Sequence, residues 1–284
     1  MRYTPFVPEA APLAGAVELV FTVDAYRPEH QVERLVPNGR TTLVFELDGR
    51  ERYVYDEATR RPRQTCRQAW FSGTHTRSIL IGDTSQESRL AAVQFAPGRA
   101  MPWVHASLQT SVDRVLPAVE VFGANVLDLR RDLLGKHEPQ LLLEHLCAWL
   151  GDRYEAVYEP PPTVSEALRE IVQRPSEIAL TRFVEERGDL SYKHFVDLFK
   201  RHVGTTPKVL QRILRFAQVF TLLQERETVD WAELSLELGY ADQSHFIRDF
   251  VAFSGYRPKR FLEDGHERLN FFPEDAGPEN STAR

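Results

Sequence analysis

From residue 16 to 95, apolar and polar positions alternate in short bursts; beyond residue 160 they recur every three or four residues. The first rhythm is that of half-buried strands and the second that of amphipathic helices. Val17-Glu18-Leu19-Val20-Phe21-Thr22-Val23 alternates, and Thr41-Thr42-Leu43-Val44-Phe45-Glu46-Leu47 follows the turn Pro37-Asn38-Gly39. Arg52-Tyr53-Val54-Tyr55, Ala69-Trp70-Phe71, Ser78-Ile79-Leu80-Ile81 and Leu90-Ala91-Ala92-Val93-Gln94-Phe95 complete a set of short strands. Such a set predicts a small barrel or sandwich. Residues 56–68 carry four arginines and no apolar rhythm, and a long loop is expected there. From 110 to 150 helical spacing takes over, with Val126-Leu127, Leu129 and Leu133-Leu134 on one face. Leu141-Leu142-Leu143, Leu146 and Trp149-Leu150 form another face after the helix-starting Pro139. These two helices either complete the core beside the strands or build a dimer surface.

Glu159-Pro160-Pro161-Pro162-Thr163 marks a boundary, since three prolines form a stiff extended spacer. After it the pattern predicts seven helices. Thr163-Val164-Ser165-Glu166 reads as a capping box for the first, to residue 173. The second is expected over 176–187, with Ile178, Leu180 and Phe183-Val184 inward. Ser191 caps the third, which ends at Gly204. Pro207 starts a long fourth helix to residue 224. Asp230 caps the fifth, stopped by Gly239; Asp242 caps the sixth, stopped by Gly255; Pro258 starts a short seventh. The polar tail over 265–284 is expected to be mobile except where Phe271-Phe272 docks.

Within the helical half the chain repeats itself at an offset of 51 positions. His194-Phe195-Val196-Asp197-Leu198-Phe199 returns as His245-Phe246-Ile247-Arg248-Asp249-Phe250, and Gly204, Pro207 and Lys208 return as Gly255, Pro258 and Lys259. Two small helical units in tandem give two grips on one periodic partner, for which duplex DNA is the obvious candidate. The stretch from Ala232 to Phe250 has the outline of a helix-turn-helix. Gln243, Ser244 and Arg248 fall on the leading part of its second helix, the part that enters a major groove. Glutamine can bond adenine bidentately, and arginine guanine.

Net charge changes the picture only locally. The 284 residues carry a formal charge of −6, which argues against a general nucleic-acid binder. Residues 190–224, however, hold Lys193, Lys200, Arg201, Lys208, Arg212 and Arg215 against the single carboxylate Asp197. A local basic stripe on an acidic chain can hold phosphate while limiting non-specific binding. The composition, 42% hydrophobic and 27% charged, is that of a water-soluble globular protein. No membrane span or signal peptide is read, and a cytoplasmic location is expected. Cys66 and Cys147 are the only cysteines, which excludes a disulfide framework and a cysteine-rich zinc site.

The stretch 234–261, with Leu-Gly-Tyr-Ala-Asp-Gln-Ser-His-Phe-Ile-Arg-Asp-Phe followed by Ser-Gly-Tyr-Arg-Pro-Lys, resembles the C-terminal module of AraC/XylS-type transcription regulators. The resemblance extends over 163–264. It implies two helix-turn-helix units joined by a long helix, whose recognition helices enter successive major grooves about 34 Å apart. Arg34-Leu35-Val36-Pro37-Asn38-Gly39-Arg40, Phe71-Ser72-Gly73 and Val93-Gln94-Phe95-Ala96-Pro97-Gly98 resemble a cupin-like sensor domain found on members of that family. The expected fold is therefore α+β: a cupin-like β-barrel with following helices over 1–158, then an all-α DNA-binding domain over 163–264.

The resemblance implies base reading by Gln243, Ser244, His245 and Arg248, with Lys193 as the first unit's candidate. Lys200, Arg201, Lys208, Arg212, Arg215, Lys259 and Arg260 are the candidates for DNA backbone contact. This chain departs from the family in the first unit. Asp197 stands where arginine is common, Val196 where polar residues are frequent, and the 188–191 turn is one residue longer than usual. A carboxylate is repelled by phosphates and by most base-edge acceptors. The first unit is therefore expected mainly to hold backbone, through Lys193, Lys200 and Arg201, while the second reads sequence.

Competing readings are a barrel enzyme and a protein-interaction module. His30, His75 and His105 form no His-x-His set; His30 with Glu33 reads better as loop residues than as metal ligands. Ser72-Gly73 lacks a nucleophile elbow. Trp70, Phe71, Phe95 and Trp103 either line a pocket or fill a core, and core filling is favoured. His194 and His245 sit beside inward phenylalanines, where packing or phosphate contact outweighs catalysis. No catalytic residue, metal or cofactor is assigned. Double-stranded DNA is the expected partner; a small-molecule effector, a second copy of the chain and RNA polymerase are the further candidates.

Overall fold

The computed structural model describes residues 1–27, 32–83, 87–188, 190–224, 226, 228–263 and 271–274. Nine strands come first: β1 (Arg2–Phe6), β2 (Val17–Tyr26), β3 (Val32–Leu35), β4 (Thr41–Glu46), β5 (Arg52–Tyr55), β6 (Pro62–Cys66), β7 (Ala69–Ser72), β8 (Ile79–Asp83) and β9 (Ser88–Phe95). A short helix α1 (Met101–Val104), strand β10 (Val115–Pro117) and helices α2 (Ala118–Phe122), α3 (Asn125–Leu134) and α4 (Pro139–Gly151) follow. The strands pair antiparallel in two sheets, ordered β1-β2-β9-β4-β7-β10 and β11-β3-β8-β5-β6, with β11 (Phe271–Glu274) supplied by the tail. The architecture is α+β, with two open sheets in place of a closed barrel. Gln64 Nε2 on β6 donates to the Val115 carbonyl on β10 at 2.6 Å and draws one pair of sheet edges together.

One face of the first sheet buries Leu43, Phe45, Phe71, Val93 and Phe95 against Trp103, Leu129, Leu133, Leu142, Leu146 and Leu150 of the helices. The leucine-rich helices α3 and α4 thus complete the core, although Leu141 stays outside it, exposed. Phe71, Phe95 and Trp103 are core, while Trp70 points the other way, into a smaller cluster with Val54, Cys66 and Ile79. The expected loop over 56–68 contains β6. Its apolar rhythm is missing because β6 is an edge strand whose side chains are mostly exposed.

The helical half contains α5 (Pro162–Gln173), α6 (Leu180–Arg187), α7 (Tyr192–Val203), α8 (Pro207–Gln224), α9 (Trp231–Glu237), α10 (Gln243–Ser254) and α11 (Pro258–Glu263). Two of the predicted starts shift. The capping box at Thr163 does not form: Pro162 takes the first helical position, where it needs no amide partner, and Thr163 is buried. Helix α6 begins at Leu180 rather than 176, because Ser176 is held in a turn by donating its hydroxyl to the Leu238 carbonyl at 2.7 Å.

Helix α8 is shared between two cores. Its Leu210 joins Val164, Leu168, Ile171, Phe183, Phe195 and Phe199 in the first. Its Ile213, Phe216, Val219 and Phe220 join Leu234, Tyr240, Phe246, Phe250 and Phe261 in the second, together with Val36 from the sheet domain. That last contact belongs to a seam between the halves. A Cβ on Gly39 would lie 3.0 Å from Leu210 and Leu214 methyls, and one on Gly98 would lie 2.9 Å from Val203 and 3.0 Å from Leu168. Arg34 on β3 is buried: its guanidinium binds Glu57 at 2.7 and 3.1 Å and Ser78 at 2.8 Å, and lies 5.5 Å from the Tyr256 ring centroid just past α10.

Candidate nucleic-acid interface

Each helix-turn-helix unit is a pair of crossed helices fixed by a side-chain cap and an aromatic core. In the first, Ser191 accepts from the His194 amide at 3.2 Å and starts α7. In the second, Asp230 accepts from the Ala232 and Glu233 amides and starts α9. Asp242 accepts from the His245 amide at 2.7 Å and starts α10. These caps satisfy amides that the helices leave open and fix where each leading turn begins. Phe246 and Phe250 then anchor α10 against Trp231 and Phe216.

The expected base readers of α10 divide. Gln243, Ser244 and Arg248 are exposed on its first turns. His245 is half-buried: its ring meets Tyr240 edge-on at 5.3 Å, and its Nε2 lies 4.0 Å from Asp249 Oδ2. On α7, Lys193, His194 and Asp197 are exposed and Val196 half-buried. Arg201 is exposed and Lys200 half-buried in the last turn, where the Arg201 carbonyl accepts from Ser107 of the sheet domain at 3.4 Å. Lys208 is exposed at the head of α8, and Lys259 and Arg260 are exposed on α11.

Arg212 and Arg215 of α8, expected to reach phosphate, are half-buried, and each holds a partner within the second unit. Arg212 donates from Nη2 to Asp249 Oδ1 at 2.6 Å and from Nε to Oδ2 at 3.3 Å. Arg215 donates to the Gly239 carbonyl at 3.4 Å, and its guanidinium lies 4.8 Å from the Tyr240 ring centroid. The hydrogen bond from Arg212 to Asp249 holds the guanidinium pKa above its ordinary value. Burial raises that of the Tyr240 phenol. Asp249 was missed at the sequence level. Its signal was a carboxylate among Phe246, Phe250 and Phe253 on an inward helical face, where a charge requires a partner.

In the sheet domain, Ser72 Oγ and His75 Nε2 are 2.9 Å apart, but His75 Nδ1 stays 4.0 Å from Asp113. The Asp113 carboxylate accepts instead from the Thr76 amide and hydroxyl, both at 2.7 Å. Burial lowers the His75 pKa to about 4, so the imidazole is a weak base. Among the described residues no group of three His, Cys, Asp or Glu side chains is arranged to hold a metal ion, and no helix is long and apolar enough to cross a membrane. His30 lies outside the described residues.

Paired helix-turn-helix units thus share a common helix behind a sheet domain, the arrangement of a protein built to meet a nucleic-acid duplex. Residues 186–264 match the family model of a helix-turn-helix domain, and residues 5–117 match a domain of unknown function, DUF6597. The carboxyl-terminal match places a helix-turn-helix domain over the second unit and most of the first. An uncharacterized HTH-type transcriptional regulator of Haemophilus influenzae is 25% identical over 99 residues, which cover 34% of this chain and 33% of that protein. The match thus spans about a third of that relative's length. Among solved structures, ToxT from Vibrio cholerae aligns over 86% of this chain and 97% of its own at 10% identity, with a TM-score of 0.44. The C-terminal domain of AraT, a response regulator from Geobacillus stearothermophilus, aligns over 43% of this chain and 98% of its own at 20% identity, with a TM-score of 0.34.

Proposed function

We propose that the chain reads its operator mainly with α10 and grips the duplex backbone mainly with the first unit, with DNA binding in 163–264 and sensing in 1–158. The observation that carries this reading is the contrast at one repeated position. Arg248 is exposed on α10, whereas its counterpart on α7 is the exposed carboxylate Asp197. Arginine suits guanine O6 and N7, while a carboxylate finds only cytosine N4. Gln243 and Ser244 join Arg248 as base readers, with His245 and Lys193 at the margins. Lys200, Arg201, Lys208, Lys259 and Arg260 supply phosphate contacts. About five such contacts give a log–log salt slope of roughly −4.5.

The sensing role rests on a cleft of about 380 Å³ at the rim of the two sheets, lined by Arg63, Gln64, Asp113, Arg114 and Glu120. A small polar effector suits that charge-balanced lining. A second copy of the chain and RNA polymerase complete the proposed partners.

The test is a duplex selected from a randomised pool, then substituted at every position. The reading expects information concentrated in one half-site; equal information in both would refute it. Arg248→Ala should cost about 1–3 kcal/mol and relax preference at one base pair. Lys200→Ala should weaken every sequence alike and reduce the salt slope by about one.

A further inference from the structure

Asp249 is 2% exposed on the recognition helix, and both of its oxygens accept from Arg212. Burying a carboxylate costs free energy that a single partner barely offsets, and an apolar pair of similar volume is often more stabilising. The first unit illustrates the alternative. At the position repeated by Asp249 it holds Leu198, which packs against its unit's core with no ion pair. The helix-turn-helix framework therefore does not require a charge here.

The fork has a geometric consequence that leucine lacks. Two parallel hydrogen bonds to a planar guanidinium fix orientation as well as distance. Arg212 stands on α8, whose neighbouring Leu210 belongs to the first unit's core. One helical turn further along, Arg215 reaches the Gly239 carbonyl and the Tyr240 ring, in the turn that leads into α10. Two arginines on one face of α8 thus hold the recognition helix at its middle and at its entry. Without the fork α10 could roll about its axis. A roll of about 20° carries side-chain surface, roughly 5–6 Å from the axis, through about 2 Å. The window for a hydrogen bond to a base edge is only about 0.5 Å wide.

We propose that the Arg212–Asp249 pair is a positioning device for sequence reading: it sets the roll at which α10 presents Gln243, Ser244 and Arg248, and Arg212 does not serve as a phosphate contact. This assignment rests on the reading of α10 as the base-reading helix. A phosphate role for Arg212 predicts different behaviour. Removing Arg212 would then weaken all duplexes alike and reduce the salt slope by about one, and removing the Asp249 charge would strengthen all binding. The positioning role predicts that discrimination falls in both cases and that the salt slope is unchanged.

The experiment measures wild type, Arg212→Lys, Arg212→Ala and Asp249→Asn on two probes. One is the duplex that wild type selects from a randomised pool; the other is a mixed-sequence duplex of the same length. Each is titrated over a range of salt, and folding is checked by thermal melting. Arg212→Lys keeps the charge and nearly the volume, and so keeps the test informative if Arg212→Ala fails to fold. The expected result is a roughly tenfold or greater loss of the affinity ratio in Arg212→Lys and Asp249→Asn, with mixed-sequence affinity and salt slope as in wild type. Selective wild-type binding combined with an unchanged ratio in Arg212→Lys overturns the positioning role alone. So does an Asp249→Asn variant that binds both probes more tightly by the same factor. A wild-type protein that binds both probes equally overturns the base-reading assignment and this one with it.

Discussion

Alanine at Gly98 should destabilise the protein more than alanine at Gly49, although both glycines have nearly the same backbone. Their φ values are +67° and +78°, in the left-handed region that side chains rarely adopt. Placing a Cβ there costs about 1–2 kcal/mol at either site. At Gly49 nothing lies within 4 Å of the new Cβ, so that cost is the whole effect. At Gly98 the Cβ would stand 2.9 and 3.0 Å from the two methyls of Val203 and 3.0 Å from one of Leu168. Val203 is buried and β-branched, so its methyls cannot swing away without leaving their rotamer. Overpacking of this kind adds about 1–3 kcal/mol, so Gly98→Ala should lose about 2–5 kcal/mol against about 1–2 for Gly49→Ala. Equilibrium urea unfolding followed by tryptophan fluorescence measures both. Equal losses at the two glycines would show that the seam is not tightly packed there, and the reasoning would fail.

The buried His75 makes stability depend on pH. The free imidazole binds a proton near pH 6.5 and the folded one near 4, so between these values the unfolded chain holds more protons and stability rises with pH. Its contribution is complete above about pH 6.5 and is lost as pH falls toward 4. The difference amounts to about 3 kcal/mol, and His75→Gln should remove that part of the profile; parallel profiles for wild type and variant would disprove it. Asp242→Ala should cost about 1 kcal/mol by removing the α10 cap, with Asp242→Asn close to wild type in the same unfolding assay.

The helical half was largely legible because its helices bury one face each, and caps such as Ser191 and Asp242 stand where the side chain is needed. The sheet half was legible where a strand is buried on one face, as β4 and β9 are, and illegible at its edges. Strands β1 and β6 expose most of their side chains and carry no alternation that periodicity can detect. Two segments that read as sensor-domain signatures, 34–40 and 93–98, contribute to the seam, through Val36, Gly39 and Gly98. No local pattern reveals that, because the partners lie far along the chain. Spacing placed Arg212 and Arg215 on one face of α8, but it could not tell whether that face meets phosphate or another helix.

A single rod serves as a wall of both aromatic cores, so neither cassette can be deleted without unroofing the other. Substitutions on the first cassette's outward face, at positions such as 197, leave that shared wall intact as long as its phenylalanines remain. A duplicated reader of this build can give up reading and persist as a buttress, which leaves its descendants with two cassettes in form and one in recognition.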